Sequence, residues 1–344
     1  MKKYILYCIT ILIFLCGCGS GANSLPAGSD SGSVTDSGSE NSHANKQPLS
    51  ENISLKGHKA IAFAYNPVSN SLTLFEKNKN TYTAYSLQPG NTWAEMPEQW
   101  TVKKSQFLDN FTYGSSGLLY ACRKYYDKKG HLRAQSFVQL TNKGKIKTIP
   151  LKKLNQTPKS ASGTNAKKIR VKNHEVENYS VQDIRFCGTA LAITYADHTV
   201  KFYNIAEGQA LGCDGITGES GRNSFYDYHY ISAVPDSSTR KFLLKDYDIR
   251  SGELTHTISL FTEKNTTAPY YMANYRERLY LLSADGIFYG NNTENSLTKK
   301  IDFSLLGIDA SDKIRYFEAA RDDVLYIVYE NKEAALSLSR LPIR

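Results

Sequence analysis

Short runs of β-branched and aromatic residues alternate with turn residues along the chain from about Ile53 onward. The runs recur roughly every 8–12 residues, a spacing that is typical of folds built from many short strands. Long helical patterns rich in leucine and alanine are absent, which argues against an all-helical protein and against a βαβ enzyme. The pattern therefore predicts an all-β body.

One phrase recurs six times in this pattern: an apolar strand that ends in Asp or Asn at a turn, followed by a more polar strand. The turn residues of the six copies are Asn66, Asp127, Asp197, Asp248, Asp285 and Asn331. They lie on average 53 residues apart. A repeat of about 40–50 residues with four strands each indicates the blade of a β-propeller.

The four-strand layout is clearest in residues 104–151. The predicted strands there are 106–113, 117–125, 131–140 and 145–151. We predict a propeller of six to seven four-stranded blades over residues 55–344, with six copies visible and a seventh possible in the longer intervals. A pair of β-sandwiches is the alternative, but that fold does not require the same phrase six times.

A short motif at residues 86–93 bears on the fold. Its sequence, Ser-Leu-Gln-Pro-Gly-Asn-Thr-Trp, resembles the Asp-box (S-x-D-x-G-x-T-W) of sialidase-type and related propellers. Gln88 stands where the motif has its aspartate. The resemblance implies that this turn joins the third and fourth strands of a blade and that Trp93 packs into the core. The Asp-box is structural, so it implies no catalytic activity.

The amino terminus has the pattern of an export signal. Lys2 and Lys3 precede an apolar run at 5–15 that is too short to cross a bilayer. The run ends in Leu-Cys-Gly-Cys at 15–18, which resembles the lipobox of bacterial lipoproteins, with Cys18 as the lipidated residue. The resemblance implies a signal peptide at 1–17 and a lipid anchor on the extracytoplasmic face of a bacterial membrane. An ordinary secretory signal is the alternative.

Residues 18–54 are predicted to be a disordered tether. They are rich in Gly, Ser, Asn and Asp and contain few apolar residues, so they cannot bury enough surface to offset the entropy of ordering. A flexible chain of roughly 35 residues spans about 30–35 Å. The propeller would therefore be held near the membrane by its lipid anchor.

Motifs for metal or cofactor chemistry are absent from the sequence. No HExxH, paired-cysteine zinc spacing or Gly-x-Ser-x-Gly elbow occurs, and no cofactor, metal site or catalytic residue is predicted. The glycine-rich stretch 212–221 lacks the Lys-Ser/Thr of a phosphate loop and is predicted to be a loop between blades. Its neighbours Asp214, Glu219 and Arg222 are candidates for a site at the propeller mouth.

Three cysteines remain after the signal peptide and the lipobox are set aside. Cys122, Cys187 and Cys213 allow at most one disulfide and are predicted to be buried free thiols.

The strongest charge feature is a block of 13 Lys and Arg residues, with no Asp or Glu, between Lys128 and His174. It coincides with a predicted insertion near 141–174. Such a block suits lipid head groups, phosphate-bearing wall polymers or acidic glycans, with a solvated loop as the alternative; nucleic acid is not expected as a partner. The candidate binding residues are Lys143, Lys145, Lys147, Lys152, Lys153, Lys167, Lys168 and Arg170.

Two tyrosine-rich segments, 225–230 and 269–276, are the other candidates for ligand binding. Exposed tyrosine rings stack on sugars, whereas alternate tyrosines of a strand pack between blades, and both interpretations stay open. The candidate residues are Tyr228, Tyr230, Tyr270 and Tyr271.

The leading functional hypothesis is a non-catalytic binding or scaffold module for envelope polymers or another envelope protein. The alternative is an envelope glycan hydrolase or lyase with its site at the propeller mouth. The sialidase family places its first arginine in an Arg-Ile-Pro phrase on the first blade. No such phrase occurs in this chain, and its first arginine, Arg123, falls in the second predicted blade, so an exo-sialidase is disfavoured. A cluster of acidic residues with shifted pKa values in the channel would favour the enzyme, and a basic or aromatic face would favour the binder.

Overall fold

Antiparallel strands make up most of the described chain, because each apolar run ends in a tight turn and the next run pairs back on it. The computed structural model describes residues 50–152, 154, 168–171, 174–236, 241–261, 271–294, 296–309 and 311–343. The predicted signal peptide, Cys18 and most of the predicted tether lie outside these residues.

Six four-stranded sheets form the blades of a β-propeller, which confirms the predicted fold. Blades 1 and 2 follow the short strand β1 (Glu51–Ile53). Blade 1 consists of β2 (Ala60–Asn66), β3 (Ser71–Asn78), β4 (Thr81–Gln88) and β5 (Thr92–Thr101); blade 2 consists of β6 (Gln106–Tyr113), β7 (Leu119–Tyr126), β8 (Leu132–Leu140) and β9 (Ile146–Ile149).

A hairpin stands between blades 2 and 3, where the basic insertion is predicted. Its strands are β10 (Lys168–Val171) and β11 (His174–Glu177). Blade 3 consists of β12 (Val181–Cys187), β13 (Ala190–Tyr195), β14 (Val200–Asn204) and β15 (Gln209–Ala210); blade 4 consists of β16 (Asn223–Tyr226), β17 (His229–Asp236), β18 (Lys241–Asp248) and β19 (Glu253–Phe261).

Blades 5 and 6 complete the ring. Blade 5 consists of β20 (Tyr271–Tyr275), β21 (Arg278–Ser283), β22 (Gly286–Asn291) and β23 (Lys299–Asp302). Three strands of blade 6 come from the end of the described chain: β24 (Lys313–Ala320), β25 (Val324–Glu330) and β26 (Leu336–Pro342). A short 3-10 turn, Phe303–Leu305, follows β23, and another, Arg321–Asp323, connects β24 to β25. Within the described residues no seventh blade is present.

The ring closes because β1 supplies the outermost strand of blade 6. It pairs with β26, with Glu51 opposite Arg340 and Ile53 opposite Leu338. The propeller therefore begins at residue 51, whereas the sequence predicted a tether up to residue 54. The compact unit Lys46–Arg344 contains every strand that the structure describes, including the pairing of β1 with β26 that closes the ring, so all six blades belong to this segment.

Blade lengths explain the uneven spacing of the sequence phrases. The inner strands begin at residues 60, 106, 181, 223, 271 and 313, so four intervals are 42–48 residues long and the interval across the insertion is 75. The phrases do not mark the same strand of each blade. They fall on an inner strand in blade 1, on a third strand in blade 4 and on second strands in the others.

The motif at 86–93 forms the turn between β4 and β5, the third and fourth strands of blade 1, where the resemblance places it. Trp93 is half-buried and donates a hydrogen bond from Nε1 to the carbonyl oxygen of Ser54, 3.0 Å away. The fully buried tryptophan of this blade is instead Trp100, whose Nε1 donates to the carbonyl of Thr141.

The core is divided into six apolar clusters, one between each pair of neighbouring blades. Between blades 1 and 2, for example, the rings of Phe75 and Phe111 stack with centroids 4.2 Å apart. Each blade is therefore buried on both faces, which agrees with strands that are rich in β-branched and aromatic residues.

The three remaining cysteines are free thiols, with Cys122 and Cys213 buried and Cys187 half-buried. Among the described residues, no helix has the length and the hydropathy that crossing a membrane requires.

Candidate functional site

A central channel of about 1910 Å³ runs through the ring, and the six inner strands line it. All blades repeat the same order from the inner strand outward, so the inner strands run in the same direction along the channel. We call the end where they begin the entrance and the end where they finish the exit.

An ion pair crosses the channel near its middle. Arg185 on β12 belongs to blade 3 and Glu318 on β24 belongs to blade 6, and these blades face each other across a ring of six. The Nη1 atom of Arg185 lies 3.1 Å from Oε2 of Glu318. We call this contact the cross-channel ion pair.

Asp183 holds the arginine from its own strand. Its Oδ2 atom lies 3.3 Å from Nε of Arg185 and also accepts hydrogen bonds from the backbone N–H of Gly221, in the connection to blade 4, and from Nδ2 of Asn223, the first residue of β16. The carboxylate thereby links blade 3 to blade 4 beside the cross-channel ion pair.

Burial and charge act against each other on these groups. Burial raises the pKa of Glu318, and the guanidinium of Arg185 opposes that rise. Burial by itself would lower the pKa of Arg185, but the carboxylates of Asp183 and Glu318 outweigh it and raise that pKa. The arginine therefore stays charged and holds both carboxylates.

A second ion pair lies on the channel wall of blade 2. Nζ of Lys124 contacts Oδ2 of Asp109 at 2.7 Å and donates to the carbonyl oxygen of Val181 at 2.6 Å, so it joins blades 2 and 3. Burial raises the pKa of Asp109, and Lys124 opposes the rise. The channel thus contains carboxylates with raised pKa values, and each is held by a cation.

An exposed aromatic cluster lies at the entrance, and the sequence analysis missed it. Phe107 and Tyr125 are 39% and 40% exposed, and Ile61, which lines the same end of the channel, is 51% exposed. The edge of Tyr126 meets the ring of Phe107 with centroids 5.6 Å apart, and Nζ of Lys77 lies 3.8 Å from the centre of that ring. We call Ile61, Lys77, Phe107, Tyr125 and Tyr126 the rim cluster.

Two further lysines line the entrance next to the rim cluster, Lys104 and Lys128. The two carboxylates that line the channel at this end, Asp127 and Glu330, already have partners. Asp127 pairs with Arg133 at 2.6 Å, and Glu330 accepts from Nε of Arg315 at 2.7 Å. The entrance therefore carries an excess of positive charge.

The predicted basic block is partly described, and it lies away from the channel. Lys143, Lys145, Lys147 and Lys152 are exposed on and beside β9, the outermost strand of blade 2. Within the described residues none of the four forms an ion pair with a carboxylate. We call these four residues the basic edge. Lys168 and Arg170 lie on β10, and Lys153 and Lys167 are outside the described residues.

The candidate tyrosines that the structure describes lie at separate places in the fold. Tyr230 is fully buried against Phe202, with ring centroids 5.2 Å apart, so its ring is part of the core and the expectation that it binds a ligand is corrected. Tyr228 is half-buried in the β16–β17 turn, at the exit. Tyr271 begins β20 at the entrance and donates to the carbonyl of Ile314; Tyr270 lies outside the described residues.

The glycine-rich stretch connects β15 of blade 3 to β16 of blade 4, as predicted. Glu219 and Arg222 pair with each other at 2.6 Å. Gly221 has a φ of +76°, and a Cβ atom there would lie 2.7 Å from the ring of Tyr271. Only glycine fits this close approach between blades 4 and 5.

Among the described residues, no group of three or more His, Cys, Asp or Glu is arranged to hold a metal ion. The fold and the site together define a six-bladed β-propeller with a basic edge and an aromatic, cationic channel entrance. The chain matches no protein-family model and no curated protein sequence.

Proposed function

We propose that this protein is a membrane-anchored, extracytoplasmic binding protein whose propeller contacts an anionic envelope polymer. The basic edge carries this proposal. Its four exposed lysines follow one side of blade 2 within ten residues of sequence, and no described carboxylate neutralises them. A row of uncompensated lysines attracts a polyanion such as a phosphate-bearing wall polymer or an acidic glycan.

Strand β9 is the outer edge of its sheet, which gives the lysines a second physical effect. Lysines on an exposed edge strand oppose pairing with another chain and so limit aggregation. The two roles differ in their response to salt, because attraction between a polyanion and exposed lysines is screened within about 10 Å at 0.1 M ionic strength. A binding measurement across a salt series separates them.

The test is co-sedimentation of purified residues 46–344 with isolated cell envelopes over a salt series. We expect binding at low salt that weakens steeply as salt rises. Changing Lys143, Lys145, Lys147 and Lys152 together to Gln should lower the bound fraction several-fold. A variant with the same charge loss elsewhere, at Lys56, Lys59, Lys79 and Lys313, should lose clearly less binding than the basic-edge variant. No binding at low salt, or equal loss in both variants, would contradict the proposal.

The anchor is the second half of this proposal, and it is supported by the lipobox-like residues 15–18. Two or more acyl chains on Cys18 would give stable attachment to a membrane, which a single chain does not. Metabolic labelling of the full chain with a fatty-acid analogue should mark the protein, and Cys18→Ser should remove the label. Labelling that persists in Cys18→Ser would exclude this cysteine as the lipidated residue.

The raised pKa values of Asp109 and Glu318 favour a second candidate, an envelope glycan hydrolase with its carboxylates in the channel. Both carboxyl groups are bonded to cations, which is less suited to a proton donor. Release of reducing ends from isolated envelope glycans, lost in Glu318→Gln, would support this enzyme. If residues 46–344 release no reducing ends, the result would favour the binding protein over the hydrolase.

A further inference from the structure

The rim cluster places aromatic side chains in solvent at the one end of the channel where lysines also gather. We propose that the entrance is a binding site for a sugar unit that carries an anionic group, a carboxylate or a phosphate. This site is separate from the basic edge on the outer strand of the same blade, and the inference stands without the proposed function.

The exposed aromatic side chains at the entrance favour a sugar ring as the ligand. In this propeller most large apolar side chains are buried between blades, yet Phe107 and Tyr125 are each about 40% exposed. Phe107, Tyr125 and Ile61 thus leave apolar surface exposed at one end of the channel, and exposed apolar and aromatic side chains in a recess are typical of a ligand site. An aromatic ring offers a flat apolar face, which suits the C–H face of a sugar ring.

The lysines at the entrance favour a ligand with a negative charge. Nζ of Lys77 lies over the ring of Phe107, where the ring attracts the cation and holds it in place. Burial lowers the pKa of Lys77 below its ordinary value. An anionic group stacked beside Phe107 would lie within reach of this ammonium.

The other charges at the entrance leave this position open to an anion. Asp127 is held by Arg133 and Glu330 by Arg315, whereas Lys104 and Lys128 have no carboxylate partner within the described residues. The carboxylates Asp183 and Glu318 lie deeper, on Arg185. An anion is therefore favoured at the rim and disfavoured further into the channel.

The dimensions agree with this assignment. Ligand sites of drug-sized molecules usually enclose about 300–1,000 Å³, and the channel, at about 1910 Å³, is larger than that. The channel as a whole thus has room for one or more sugar units. Lys77, on β3, contacts Phe107, on β6, so the site lies between blades 1 and 2.

The test is isothermal titration of purified residues 46–344 with three probes: a tetramer of galacturonic acid, a neutral galactose tetramer and glucose 6-phosphate. We expect the acidic tetramer to bind at least tenfold more tightly than the neutral one. Displacement of the acidic tetramer by glucose 6-phosphate would show that the site accepts phosphate as well as carboxylate. Equal affinity for both tetramers, or no binding of the acidic one at millimolar concentration, would overturn the proposal.

Variants locate the site. Phe107→Ala and Tyr125→Ala should each weaken binding of the acidic tetramer at least tenfold, and Lys104→Gln with Lys128→Gln should weaken it about threefold and reduce its salt dependence. Leu254→Ala is the control and should bind normally, because Leu254 is an apolar residue on β19 that is 50% exposed away from the entrance. Retained binding in both aromatic variants, with a normal thermal unfolding midpoint, would overturn the assignment.

The basic-edge variant described above separates the two proposals. It should bind the acidic tetramer as the unmodified segment does, even if it no longer sediments with envelopes. Loss of tetramer binding in that variant would place the sugar site on the edge of blade 2 and would overturn its assignment to the entrance.

Discussion

At the scale of single residues, Asp and Asn side chains determine where many strands of this propeller end. The Oδ1 atoms of Asn66, Asp127, Asp197, Asp248 and Asn331 each accept a hydrogen bond from the backbone N–H two residues later, at 2.8–3.1 Å. Such side-chain turns imitate a backbone turn. The sequence could therefore predict the turns from residue type alone, because the interaction that makes them is local.

Asp127 gives a prediction about acid stability. Its carboxylate accepts from the backbone N–H groups of His131 and Lys129 and from Arg133, and these bonds lower its pKa to about 2. The ordinary value is about 3.9. The folded state thus binds the proton less readily than the unfolded state, so this contribution to stability is present above about pH 4 and is lost as pH falls towards 2.

A carbon-13 NMR titration of the Asp127 carboxyl group checks this prediction. The signal should titrate near pH 2. In Arg133→Ala the pKa should rise only part of the way to the ordinary value, since the largest cause, the hydrogen bond from His131, remains. A titration near pH 3.9 in the unmodified protein would show that these hydrogen bonds do not persist in solution.

The rim cluster shows what residue types could not predict. Phe107 and Leu108 are neighbours in β6, and both are apolar, yet one is 39% exposed and the other is buried. The strand pattern predicts that they point to opposite sides, but it does not say which side meets the channel. The tyrosines show the same limit, because Tyr230, a candidate for ligand binding, is buried in the core, whereas Tyr125, which was not a candidate, is 40% exposed.

At the scale of elements, the short strand β1 closes the ring. It contributes Ile53, which is 3% exposed, to the apolar cluster between blades 1 and 6. Asn52 next to it bonds to Ser339 of β26 through Oδ1 at 3.0 Å. Sequence patterns missed this strand because three residues are too few to show alternation, and because its partner β26 lies almost 290 residues away.

Ile53→Ala tests how much this closure contributes. Removing a buried isoleucine side chain to Ala typically costs 2–5 kcal/mol, so we expect the free energy of unfolding to fall by about 3 kcal/mol. Ile61→Ala is the matched control, since Ile61 is 51% exposed, and it should change the free energy by less than about 0.5 kcal/mol.

Urea unfolding of residues 46–344 followed by circular dichroism gives both values. Similar losses for the two variants would mean that β1 contributes little to the core of the ring. A change in the urea dependence of Ile53→Ala, rather than in its midpoint alone, would indicate that the blades no longer unfold together.

The insertion explains why the blade count was harder to predict than the strands. Blade 2 is followed by the hairpin β10–β11, so the interval to the next inner strand is 75 residues instead of 42–48. A long interval is equally consistent with a hidden blade or with an insertion, and only the sheet pairing distinguishes them. The sequence therefore left six and seven blades open.

At the scale of the whole molecule, the cross-channel ion pair joins the two halves of the ring. The apolar clusters connect only neighbouring blades, whereas Arg185 and Glu318 connect blades 3 and 6 directly. No sequence pattern predicts this contact, because the two residues are 133 positions apart and both resemble ordinary surface charges. It arises only when the ring closes.

This arrangement predicts unequal effects of removing its two partners. Arg185→Met leaves the carboxylates of Asp183 and Glu318 together without their cation. The three side chains are 17–20% exposed to the channel, so we expect a loss somewhat below the about 3–5 kcal/mol that is typical of breaking a fully buried pair. In Glu318→Gln the amide oxygen can still accept a hydrogen bond from Arg185, and Asp183 still pairs with that arginine. We therefore expect the free energy of unfolding to fall by only about 1 kcal/mol. Urea unfolding at pH 7 should show this order, and the reverse order would contradict it.

The pH dependence of Arg185→Met provides an independent check of the same prediction. Burial and the neighbouring Asp183 already raise the pKa of Glu318, and Arg185 is the group that opposes the rise. Without the arginine the folded state binds a proton more readily than the unfolded state, so its stability should increase as pH falls from 7 towards 5. The deficit relative to the unmodified protein should therefore shrink at pH 5. A deficit that stays constant over this range would mean that the side chain of Arg185 stabilises the ring by packing rather than by charge.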